Sequence, residues 1–139
     1  MNYGRITLAA IVGTIVYYLF GAIGGALFAN VYAPYAGVFR PREAIMGYLP
    51  YGFAGTLVAM FIASAIYGLG YKNGGVGSGL RFGFLLGLFM IFGCVVHDYV
   101  IINVGIGVEL VEGLGQLVGW SLAGLAIGLI YRPTVTHGA

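Results

Sequence analysis

The charged residues of this chain stand far apart, and that spacing limits what it can fold into more than any motif does. No Asp, Glu, Lys or Arg occurs at residues 6 to 39, 44 to 71, 82 to 97 or 113 to 131. About 20 apolar residues cross a hydrocarbon core roughly 30 Å thick, so three of these runs can span a bilayer unaided. The third reaches that length once His97 and Asp98, both able to be neutral, are counted in. The reading is an all-α membrane protein, a bundle of four transmembrane helices. The spans fall at about residues 6–29, 46–70, 80–103 and 108–131, with a connection at 30–43 and a glycine-rich loop at 71–79. Four spans in 139 residues, 60% of them hydrophobic and 7% charged, leave no room for a domain outside the membrane, which excludes most soluble enzymology. A net charge of +2 with no Lys/Arg cluster argues against nucleic acid as a partner. The single cysteine, Cys94, cannot form an intrachain disulfide.

The first apolar run is far longer than the roughly 7 to 15 residues of a signal-peptide core, so it reads as a retained anchor. Four spans gather Arg5, Lys72, Arg81 and Arg132 on one side and Arg40 and Arg42 on the other. Positive charge favours the cytoplasmic side, which gives an N-in, C-in orientation, expected in a bacterial cytoplasmic membrane. The 30–43 connection carries Pro34 and Pro41 with three aromatic rings; it lies on the outer surface or folds back over the bundle. Pro50, inside the second run, predicts a kink or a break with a short outer helix before it. The loop GLGYKNGGVGSG tempts a phosphate-cradle reading but lacks the preceding strand and the following GK[ST].

Only a few residues near NVGIG (103–107) separate the third and fourth spans, which therefore form a tight antiparallel hairpin. Glycine supplies 26 residues, much of it at helical spacing. Gly21 and Gly25 line one stripe of the first span. Gly79, Gly83 and Gly87 line the third; Gly115 with Gly119, and Gly124 with Gly128, line the fourth. Lipid offers no hydrophobic drive between helices, so small residues four apart act by letting backbones approach, and all nine are assigned to helix packing.

At about 1.5 Å per residue, His97 and Gln116 stand at one depth, each 16 residues from an arginine, Arg81 and Arg132 respectively. A uniform 100° per residue turns Cys94 and Asp98 to the same side as Gly83 and Gly87. His97, Asp98, Gln116, Glu112 and Cys94 thus form an expected polar patch in the outer leaflet. It reads either as a structural hydrogen-bond network or as a proton, ion or cofactor site. Cys94, His97 and Asp98 at i, i+3, i+4 with Glu112 could hold a metal, but no paired Cys/His motif supports it, and neither a metal nor a catalytic residue is assigned. Glu109 and Glu112 have a local role as acids in a helix's first turn. Tyr17 and Tyr18 need a partner for at least one hydroxyl if buried.

GLRFGFLLGLF (79–89), VHDYVIINVG (96–105) and GLAIGLIYRP (124–133) resemble parts of uncharacterised small four-span bacterial membrane proteins. The resemblance lies in hydropathy and glycine placement, implies no activity and transfers no catalytic residue. Small multidrug transporters also have four spans, but their pattern needs a Glu in the first, and residues 6 to 39 have none. Three functions compete. The leading one is a non-catalytic accessory or assembly subunit of a larger membrane complex, with lipid and other membrane subunits, or copies of itself, as partners. The second is a homo-oligomeric channel or transporter for protons or a small solute past His97, Asp98 and Gln116. The third is a cofactor-binding protein, the cofactor unidentified, with His97 as ligand.

Overall fold

A computed structural model describes residues 2–70 and 74–131, with Arg42 represented by its backbone. Lys72 and Arg132, on which the orientation argument draws, lie outside the described residues. Asn2 precedes α1 (Tyr3–Leu27), and its side-chain oxygen accepts from the Arg5 amide at 3.1 Å. That bond satisfies one of the N–H groups a helix start leaves unpaired. The connection contains the short α2 (Ala29–Tyr32) and a 3₁₀ turn at Ala33–Tyr35. Next come α3 (Arg42–Gly70) and α4 (Val76–Met90), a π-helical segment at Ile91–Val95, α5 (Val96–Ile101) and α6 (Ile106–Ile130). Among the described residues there is no strand. Four helical stretches, Tyr3–Leu27, Glu43–Gly70, Val76–Ile101 and Ile106–Ile130, are long and apolar enough to cross a membrane.

Two features bear on the sequence reading. Pro50 lies within α3, which continues from Arg42 to Gly70, so of the Pro50 alternatives the break with a separate helix before it is not met. A proline removes one backbone donor, and in an apolar helix of this length the remaining ladder carries the element past it. Conversely, the third span carries the π segment, which nothing in its hydropathy announces.

The helices pack in the spatial order α3, α1, α6, α4, the closest pairing being α4 with α6. The largest buried cluster sits in one half of the molecule, on the side where α1 begins and α6 ends, here the terminal side, while Val95, Val104 and Val108 are buried at the other end between the π segment and α6. On the terminal side Ala9, Ala10, Met60, Ala63, Tyr67, Phe82, Trp120, Ala123 and Ile127 form one buried cluster. Tyr67 clasps this end: its ring lies 5.4 Å from that of Phe82 and 6.1 Å from that of Tyr131, and its hydroxyl accepts from the Gly75 amide at 3.1 Å. Thr14, fully buried, bonds back to the Ala10 carbonyl at 2.8 Å, while the Ser64 hydroxyl has no partner among the described residues. At the distal side, where the connection and residues 102–105 lie, no large side chain of α1 or α3 is buried among the described residues. Leu8, Ile15, Leu19, Ile23 and Leu27, each four or more residues apart on α1, are exposed as a lipid-facing stripe.

Candidate functional site

The distal halves of α1 and α6 stand apart, and the space between them, roofed by the connection, is a cleft of about 820 Å³. Glycine makes the room. Side chains built at Gly21, Gly24, Gly25 and Gly115 would meet nothing within 4 Å, and all four glycines line the cleft. Phe20, Phe28 and Phe39 give it apolar walls, and Arg40 stands at its rim with the guanidinium 3.9 Å from the Tyr48 ring.

Its polar groups come as two hydrogen-bonded sets. Deep in the cleft, the Gln116 Oε1 accepts from the Tyr17 hydroxyl at 3.0 Å and from the Trp120 Nε1 at 3.1 Å. An indole nitrogen only donates, so the amide oxygen must face it, and the amide nitrogen keeps two donors with no partner among the described residues. Nearer the rim, the Tyr32 hydroxyl donates to Glu112 Oε1 at 2.7 Å and ties the connection to α6. Burial, and then that bond to a carboxylate, push the Tyr32 phenol well above its usual range, so it remains a donor at physiological pH. The connection also covers the start of α6. Tyr35 packs against Gly105, and a side chain at Gly107 would meet Val31 at 3.7 Å.

The expected polar patch is divided. Gln116 and Glu112 line the cleft, whereas His97 and Asp98 are exposed and hydrogen-bond to neither. Cys94 is half-buried within the π segment. The cause is local. A π turn places one extra residue in the ladder and rotates everything after it by about 100°, so a wheel drawn at uniform pitch from Gly83 and Gly87 misplaces residues 94 to 98. Among the described residues no cluster of His, Cys, Asp and Glu could hold a metal.

The nine glycines also divide. An added side chain at Gly83 would fall 2.9 Å from the Gly124 Cα, one at Gly87 2.8 Å from the Leu117 Cα, and one at Gly79 2.7 Å from the Gly128 Cα. Gly124 and Gly128 meet the backbone of Gly79 and Gly83 in return, and a side chain added at Gly119 would fall 3.0 Å from the Tyr17 ring. Among the described residues nothing lies within 4 Å of a side chain added at Gly21, Gly25 or Gly115, because the α1–α6 contact reaches only as far as Phe20 on α1 and Gln116 on α6 and the helices separate beyond it.

Three contributors escaped the sequence reading: Trp120, Arg40 and the two free donors of Gln116. The i, i+4 spacing of Gln116 and Trp120 was a usable signal for the first. No family model, curated protein or solved structure matches the chain.

Proposed function

We propose that this chain is a non-catalytic accessory or assembly subunit of a larger membrane protein complex, and that the distal cleft seats a transmembrane helix of its partner. The observation that carries the reading is the open space at Gly21, Gly24, Gly25 and Gly115. The chain supplies its own precedent: glycines four apart on α4 receive the backbone of α6. Gly21 and Gly25 repeat that spacing on α1, and in lipid such a surface gains dispersion contacts when a helix closes on it. The two free donors of Gln116 give a seated helix a polar anchor, since an unpaired polar group in hydrocarbon is unfavourable. In this reading α4–α5 and α6 act as a glycine-packed antiparallel hairpin that holds the cleft's far wall. The terminal side faces the cytoplasm of a bacterial inner membrane.

Conduction past His97, Asp98 and Gln116 has less support, because those groups do not converge and the cleft ends at Tyr17, Gln116 and Trp120 above the buried cluster. A cofactor on His97 would be held by one exposed side chain.

The test is purification from native membranes in a mild detergent. The chain should comigrate with a fixed partner, and Gly21→Leu with Gly25→Leu should release that partner while the variant remains folded. A wild-type chain that migrates alone or only with its own copies at every detergent strength overturns the proposal.

A further inference from the structure

Glu109 is an acid that the cleft does not use; the residue as a whole is 8% exposed, and its carboxylate oxygens keep access to the surface. It lies in the first turn of α6, where the helix dipole favours a negative group. Its carboxylate has no hydrogen-bond or ion-pair partner among the described residues. The charged groups that act on it, Asp98 on α5 and Glu112 on its own helix, carry its own sign. An unpaired carboxylate opening among apolar side chains in a membrane chain favours a partner of opposite charge.

The structure provides space for that partner. Glu109 lines a second pocket, of about 390 Å³, between α6 and the π turn. Ile91, Val95, Val96, Leu110 and Leu117 make its walls, and Tyr99 adds a ring. Gly113 keeps it open: a side chain there would reach Ile91 at 3.8 Å. A π turn bulges the helix away from its neighbour, and such bulges recur at binding sites.

The chemistry of the lining selects the ligand. Calcium and magnesium need about six oxygen ligands, and this pocket offers one carboxylate. An organic cation needs a single counter-charge, an apolar wall for its body and an aromatic ring near its head. We propose that the pocket between the π turn and α6 binds a monovalent organic cation with an apolar body, an alkylammonium in chemical class. Its head pairs with Glu109 beside Tyr99, and its chain lies against Val95, Leu110 and Leu117. This site is independent of the partner-helix reading, which concerns the other cleft.

The experiment is equilibrium dialysis of radiolabelled hexyltrimethylammonium against the full chain in phosphatidylcholine nanodiscs, with empty nanodiscs subtracted. Saturable binding near one per chain is expected, weakened about tenfold or more by Glu109→Gln at unchanged helicity, since removing the carboxylate leaves the bound cation without its counter-charge. On the wild-type chain, 2,2-dimethyloctane, which has the same shape without the charge, should not compete, and a large excess of sodium should not displace the probe. Equal binding by Glu109→Gln, competition by the neutral hydrocarbon, or displacement by sodium would each overturn the proposal. The last two need no variant, so a Gln variant that fails to fold leaves the test intact.

Discussion

Two glycine faces with the same four-residue spacing meet different fates in this molecule. On α4, Gly79, Gly83 and Gly87 are pressed against the backbone of α6. On α1, Gly21 and Gly25 border a cleft. The local sequences do not distinguish them, since both are small residues recurring in an apolar helix. The next stretch of chain separates them. The α4–α5 unit is joined to α6 by four residues, which force the two side by side, whereas α1 leads into a long connection that leaves its distal half free to stand off. A glycine stripe states that a backbone can approach; connectivity decides whether one from the same chain does.

The largest expected effect breaks this contrast directly. Gly83→Leu must drive its side chain into the Trp120 carbonyl and the Gly124 backbone, and should lower stability by about 3 kcal/mol, the upper range for overpacking. Gly25→Leu enters open space and should change stability by no more than about 0.5 kcal/mol. Reversible unfolding in mixed micelles, followed by circular dichroism, compares them; equal losses would mean that the α1 face is closed. A middle-sized effect concerns the junction where the two helices part. Tyr17→Phe removes the donor to Gln116 and should destabilise by about 0.5 to 1 kcal/mol. Combined with Trp120→Phe in a double-mutant cycle, it should show coupling, because both donors share one oxygen.

The smallest effect lies at the rim. Tyr32 in the folded chain holds its proton more tightly than a free phenol, whose pKa is about 10. The stability it adds is therefore fully present below about pH 10 and is lost as pH rises further. Wild-type protein should show an alkaline weakening of the connection, read as amide hydrogen exchange at residues 29–36, that Tyr32→Phe lacks. Identical pH profiles would remove the Tyr32–Glu112 bond as the tether.

Four long apolar helices are legible in the sequence because the solvent imposes them: gaps between charges report membrane thickness directly. The depth match of His97 with Gln116 is also sound arithmetic, yet the two do not meet. Depth depends on rise per residue, which a single π turn barely alters, whereas facing depends on accumulated rotation, which it shifts by about 100°. At Pro50 the break with a separate outer helix is absent, because a residue that can end a helix need not do so when the flanking ladder is long and apolar. Glu109 reads locally as a dipole-stabilised acid. That account holds for its place in the first turn of α6, but its burial depends on the π turn packed opposite, which the local sequence does not reveal.

The uneven placement of the core has a mechanical consequence. Tyr67, Phe82 and Tyr131 hold α3, α4 and the end of α6 together on the terminal side, whereas the described large side chains in the distal halves of α1 and α3 are not buried, which makes those halves the least braced part of the bundle. A half-helix of about fifteen residues is roughly 22 Å long, so a tilt of about 5° at its base moves the tip by about 2 Å. A change of that size would widen or narrow the mouth between α1 and α6.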